Sequence, residues 1–220
     1  YLGQLMADQV GIAVAGTHGK TTTSAMIAWM LTSLNQDPTF IVGGVLNNLQ
    51  TNARSGSGST FVIEADEYDY MFLGLRPSYS IITNVEYEHP DLFPTPSVYQ
   101  QAFMQFVDRL APDGTLLICT DDPGAAELLK YAENNGHKTV SYGLQGAPDY
   151  LAKGLRPATG GGTVFDFIRG EDLFVKVLLP IPGKHNVQNA LAALAMIDLL
   201  GHSVREASQA MQVFRGTGRR

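Results

Sequence analysis

The stretch GTHGKTTT at positions 16–23 follows the short apolar run GIAVA at 11–15. A strand, a glycine-bearing turn and a helix opening on Lys-Thr form the arrangement that turns backbone N–H groups toward a phosphate. In the usual pattern, G-x-x-x-x-G-K-[ST], the first glycine would fall at position 14, where Val14 stands. Gly16 and Gly19, with Thr17 and His18 between them, allow close wrapping of the backbone. Lys20 suits the β- and γ-phosphates of a nucleotide, and the hydroxyl of Thr21 or Thr22 suits a Mg2+ ion. The plain alternative is a strand-to-helix turn that needs glycine and happens to start with lysine. Against it, a lysine at a helix N-terminus opposes the macrodipole and calls for an anion.

Other residues could do chemistry beside this loop. Glu64 closes the apolar run TFVIEA at 60–65. A carboxylate at the carboxyl end of a parallel strand either faces water or offers Mg2+ the oxygen ligand it prefers. Asp66 and Glu67 are either outer acids of such a site or solvated. His89 lies just beyond the run YSIITN at 79–84, and Asn84 and Glu86 stand in the same block. Asn84 is either a turn residue or a substrate contact. Asn186 and Asn189, three apart at a helix start, share a face. An amide that donates and accepts at once matches the N6/N7 edge of adenine, although Asn186 could equally cap its helix.

The elements that must hold these residues alternate along the chain. Strands are expected at 11–16, 39–44, 60–65, 79–84, 114–120 and 138–143, with helices at 20–34, 97–110 and 123–135 between them. That alternation predicts an α/β fold of the phosphate-loop type, a wound and mostly parallel sheet flanked by helices. NARSGSGS at 52–59 reads as a loop. From 148 to 180 three strands with glycine turns predict a small antiparallel meander packed against the main sheet. Helices return at 182–201, stopped by Gly201, and at 203–214, where Ser203 and Glu206 have capping-box spacing.

Composition excludes some classes. A net charge of −6 argues against a nucleic-acid partner. No apolar run approaches the length of a membrane span, so no membrane partner is expected. Cys119 is the single cysteine of 220 residues, which fits a reducing cytoplasm. The opening YLGQLMADQ reads like the end of a helix, and the chain is expected to be a piece of a longer protein.

AGTHGKTTT is similar to the shortened phosphate loop of the Mur ligases, ATP-dependent amide-forming enzymes of peptidoglycan synthesis. GGVLNNLQTNARSG (43–56), EADEYD (64–69), ITNVEYEH (82–89), GKHNVQNALAA (183–193) and FRGTGRR (214–220) resemble further blocks of that family, in its order. The resemblance implies that residues 1–220 are the family's central ATP-binding domain, the uridine-nucleotide and C-terminal domains lying outside. It implies ATP and Mg2+ as cofactors, with UDP-N-acetylmuramate and L-alanine as substrates, or a tripeptide in place of alanine. TNARSG leans toward alanine, EYDYMF and HPDLFP toward the tripeptide. By the same resemblance Glu64 binds magnesium and His89 a second magnesium. Asn186 and Asn189 meet the adenine, and Arg220 reaches the γ-phosphate. Thr51, Asn52 and Arg54 resemble the block that contacts the sugar nucleotide, with a plain loop tip as the alternative, and Asn84 and Glu86 are candidate substrate contacts. Several relatives carry a carbamylated lysine after the histidine, and this chain has no lysine between Lys20 and Lys130.

Two other classes stay open on the sequence. One is a nucleotide-hydrolysing regulatory or motor module without ligation. The other is a small-molecule binding domain whose loop holds only phosphate.

Overall fold

In the computed structural model, which describes residues 2–218, the run at 10–15 is a strand whose side chains divide between two cores. Ile12 and Val14 pack on one face, Ala13 and Ala15 on the other, as the two-residue period of a strand requires. Both faces are covered, so the run carries no polar position.

The chain order is α1 (Leu2–Leu5), β1 (Val10–Ala15), α2 (Lys20–Ser33), β2 (Thr39–Leu46), β3 (Thr51–Arg54) and β4 (Thr60–Glu64). A 3-10 segment, Tyr68–Gly74, leads to β5 (Tyr79–Ile82), α3 (Pro96–Val107), β6 (Thr115–Cys119), α4 (Pro123–Asn134) and β7 (Lys138–Gly143). Then come β8 (Tyr150–Pro157), β9 (Thr163–Arg169), β10 (Asp172–Leu179), α5 (Lys184–Leu199), α6 (Val204–Met211) and β11 (Thr217–Gly218). One sheet contains all the strands of the described residues, in the order β10-β9-β8-β7-β6-β5-β1-β4-β2-β11, with β3 also on β2. From β2 to β8 neighbouring strands on that path are parallel. Helices α2, α5 and α6 cover one face; α3, α4 and the 3-10 segment cover the other. Among the described residues no helix is long and apolar enough to cross a membrane.

Two expectations are corrected. Of the loop expected at 52–59, residues 52–54 are strand: β3 pairs with β2, Phe40 opposite Arg54 and Leu46 opposite Thr51. The backbone finds ladder partners there although Ala53 is the one apolar side chain of the strand. The meander is also not a separate layer. Tyr142 pairs with Tyr150 and Gly143 with Leu151, so β8 continues the sheet at the edge of β7. Its first residues, Tyr150 to Ala152, are buried, and only the far part of the strand is exposed.

The helix starts separate into two kinds. Thr95, Asp122 and Ser203 cap α3, α4 and α6, each side chain accepting a backbone N–H. Helices α2 and α5 open instead on Gly19 and Gly183, without a side-chain cap. Their first N–H groups have no side-chain partner at the helix start, and both starts border one cleft.

Candidate functional site

The loop between β1 and α2 requires its glycines. Gly16 has φ +131° and Gly19 φ +85°, a region that side chains with a Cβ disfavour. A Cβ on Gly16 would collide with the Thr83 hydroxyl, and one on Gly19 with Asn189 Oδ1. The loop is clamped from the segment after β5. Asn84 Oδ1 accepts the His18 N–H at 2.8 Å, and Thr83 Oγ1 donates to the His18 carbonyl at 2.6 Å. Thr17 Oγ1 donates to the Glu86 carbonyl at 2.8 Å and accepts the Glu86 N–H at 2.9 Å.

The structure supplies Lys20 with an internal anion. Its ammonium lies 2.8 and 3.1 Å from the two carboxylate oxygens of Glu67. It also donates to the carbonyls of Gly16, at 2.6 Å, and Thr17, at 3.3 Å. The Glu67 side chain is 0% exposed and that of Lys20 13%. Sequence reading left Glu67 either an outer acid or solvated. It is the buried counter-charge of the loop lysine.

Glu64, the last residue of β4, instead faces the neighbouring position of α2. Its Oε1 accepts from Thr21 Oγ1 at 2.9 Å, and its Oε2 accepts the Gly43 N–H. Two hard oxygen donors side by side at the start of a phosphate-loop helix suit Mg2+, so the residues present fit that ion. His89 has φ +56°, a left-handed conformation for a residue with a Cβ. Its Nε2 lies 4.0 Å from Glu67 Oε1 and 3.8 Å from Glu88 Oε2. Donor atoms of Glu67, Glu88 and His89 lie within 4.8 Å of one another. The acids facing His89 are therefore Glu67 and Glu88, while Glu64 faces Thr21. His89 is neither in a core nor turned away from Lys20, since Glu67 stands beside both.

A cleft of about 390 Å³ lies between the two uncapped helix starts. His18, Gly19 and Thr22 border it from the loop side, Asn186 and Asn189 from α5. Asn186 is not the cap of α5, which opens on Gly183; its Nδ2 donates to the Pro182 carbonyl at 2.6 Å. Asn189 is buried against Gly19.

The remaining expected residues disperse. Asn84 spends its amide on the loop, its Nδ2 also donating to the His18 carbonyl at 3.3 Å. The Glu86 side chain is exposed, 3.9 Å from His18. Thr51 and Asn52 lie on β3, and the antiparallel run of that strand carries Arg54 to the amino end of β2. There Arg54 pairs with Asp37 at 3.2 Å, remote from the loop. Arg220 lies outside the described residues. Sequence reading also missed Tyr99, whose buried hydroxyl is 3.0 Å from Thr17 Oγ1 and 3.2 Å from Glu67 Oε1. Burial, above all, holds its phenol well above the ordinary range. The signal for Glu67 in the sequence was indirect: the unfavourable lysine at the helix start demanded an anion without marking which acid supplies it.

Over residues 14–197 the chain matches a family model described as Mur ligase middle domain. It is 41% identical over its whole length to the UDP-N-acetylmuramate--L-alanine ligase of Renibacterium salmoninarum, covering 46% of that protein. The chain thus spans about half the length of the curated relatives it matches. Two solved structures are similar to it. The UDP-N-acetylmuramate:L-alanyl-gamma-D-glutamyl-meso-diaminopimelate ligase from Neisseria meningitides matches 98% of this chain and 69% of its own, at TM-score 0.85 and 27% identity. The UDP-N-acetylmuramate-alanine ligase from Thermotoga maritima matches 99% of this chain and 48% of its own, at TM-score 0.83 and 29% identity.

Proposed function

Because this chain belongs to the Mur ligase family, we propose that it is the ATP-binding core of a cytoplasmic enzyme that joins L-alanine to UDP-N-acetylmuramate. The observation that carries this reading is the pair of uncapped helix starts, α2 and α5, facing one cleft with Lys20 at the loop end. The N–H groups of the α2 start and the ammonium of Lys20 would receive the phosphates, and Asn186 and Asn189 would border the adenine.

The reaction has two steps. The muramoyl carboxylate attacks the γ-phosphorus, forming an acyl phosphate and releasing ADP. The amine then attacks the acyl carbon, and the tetrahedral intermediate expels phosphate. Carboxylate and triphosphate are both anionic, so the chief task of the site is to compensate charge and hold the reactants in line. Thr21 and Glu64 would hold Mg2+, with His89 and Glu88 offering donors for a second ion while Glu67 is taken up by Lys20. Bound there, magnesium would offset the charge of the phosphate oxygens. Lys20 orients the phosphate from the loop, and Thr17, fixed to Glu86, keeps the loop backbone in place.

The likeness of the backbone to the Neisseria structure supports a second reading, in which the amine is the tripeptide. Assaying the intact protein with ATP, UDP-N-acetylmuramate and either amine decides between them. The alanine reading expects ADP and phosphate release with L-alanine. Release with the tripeptide alone reverses the assignment, and nucleotide hydrolysis indifferent to both amines overturns ligation.

A further inference from the structure

All the donors of the Lys20 ammonium are spent inside the protein. An ammonium has three hydrogens, and this one faces the Gly16 carbonyl, the Thr17 carbonyl and both oxygens of Glu67. A lysine that is to meet a phosphate must first let go of these acceptors. The one among them that carries charge is Glu67, which is 0% exposed and cannot turn to water when the lysine leaves.

Behind Glu67 lies a short chain of hydroxyls. Three oxygen–oxygen contacts run from Glu67 Oε1 to Tyr99 at 3.2 Å, from Tyr99 to Thr17 Oγ1 at 3.0 Å, and from Thr17 Oγ1 to the Glu86 carbonyl at 2.8 Å. A carbonyl and an ionised carboxylate only accept. The two hydroxyls bring two hydrogens to three contacts, so one contact always goes without. While Lys20 covers the charge of Glu67, the Tyr99 proton can serve Thr17. When Lys20 departs, the bare carboxylate is the stronger acceptor, and the Tyr99 proton turns to it. The Tyr99 proton therefore has two positions, and the place of Lys20 selects between them.

We propose that Glu67, backed by Tyr99, is a positioning residue that parks the loop lysine away from the nucleotide and sets the cost of releasing it to the phosphates. This rests on the reading of the loop as a triphosphate site. Its consequence follows from population arithmetic: apparent affinity is reduced by the fraction of molecules in which the lysine is free. Weakening the parking contact tightens nucleotide binding, the opposite of what loss of a structural acid does. Tyr99 acts in the reverse sense, because its hydroxyl is the donor that consoles Glu67 after release.

The test is calorimetric binding of a non-hydrolysable ATP analogue with magnesium to the intact protein. Glu67→Gln keeps the shape and removes the charge; it is expected to bind the analogue about five- to twenty-fold tighter than wild type. Tyr99→Phe is expected to bind it a few-fold weaker. In a Lys20→Met background the effect of Glu67→Gln should vanish, since no lysine is left to park. Should Glu67→Gln not fold, Glu67→Asp, which draws the carboxylate back by one methylene, is expected to lie between wild type and the Gln prediction. Weaker or unchanged binding by Glu67→Gln, or by Glu67→Asp in its place, overturns the proposal, as does a gain that survives in Lys20→Met. Failure of the loop reading itself is separately visible: Lys20→Met alone would then leave analogue binding unchanged.

Discussion

Two charged pairs stand at opposite ends of the same sheet. At the carboxyl ends, Lys20 and Glu67 meet with side-chain exposures of 13% and 0%; at the amino ends, Arg54 and Asp37 meet with 32% and 49%. Arg54 shares its guanidinium with Thr32 Oγ1, at 3.1 Å, and lies over the Phe40 ring. Asp37 takes the Ser57 N–H and hydroxyl, both at 2.8 Å. Either residue of this pair can return to water if the other is removed. Glu67 cannot. A charge withdrawn from solvent costs several kcal/mol unless it is paired, so the molecule tolerates one where the pairing has a use. The strands' carboxyl ends, where loops of a wound sheet meet ligands, are where the tolerance is found.

The sharpest way to break the comparison is to remove one cation from each end. Lys20→Ala is expected to lower ATP-dependent turnover of the intact protein by about a thousand-fold. A lysine on an open crevice surface could be removed without harm to the fold. The buried partner changes this: the variant should lose about 3 kcal/mol of stability by stranding Glu67. Adding Glu67→Gln should restore the denaturation midpoint and leave turnover down. If the single variant is as stable as wild type, the buried pair is not what the geometry indicates.

Glu64→Ala is expected to cost less, about a hundred-fold in turnover, with a raised magnesium requirement. Titrating magnesium at fixed ATP reads this out; a requirement equal to wild type would remove Glu64 from the ion. Asn189→Ala should weaken nucleotide binding by about ten-fold, one lost hydrogen bond in a closed cleft. Because the lost contact is assigned to the base, calorimetry should show the effect on ATP and little effect on inorganic triphosphate.

How far these residues were legible follows from their type of signal. Gly16, Gly19 and Lys20 were readable because loop geometry restricts which residues fit. The parallel core was readable from apolar runs at regular intervals, buried on both faces. Ser203 obeyed cap chemistry. Residues 51–54 were missed because β3 is held by ladder bonds rather than by side-chain pattern. Glu67 and Tyr99 were missed for another reason. They are 32 residues apart, and only tertiary packing makes them neighbours. A buried glutamate has no local mark that separates it from a solvated one. Asp66, immediately before it, is exposed.

The smallest expected effect sharpens the amino-end half of the comparison. The Asp37 carboxyl is held below its ordinary value of 3.8, first by the Ser57 backbone N–H, next by the Ser57 hydroxyl, and least by the charge of Arg54. A depressed carboxyl adds stability that is present in full above its unfolded value and is lost as pH falls through the folded one. Since Ser57 does most of this, Arg54→Ala should leave the Asp37 carboxyl still below 3.8 in an NMR titration of the side chain. The same variant should lower the thermal midpoint by about 2 °C or less, the scale of an exposed pair. It should also leave affinity for the ATP analogue unchanged, because Arg54 lies at the end of β2 away from the loop. A return of Asp37 to its ordinary value would mean that Arg54, and not Ser57, holds it. The two ends of the sheet would then differ in exposure but not in kind.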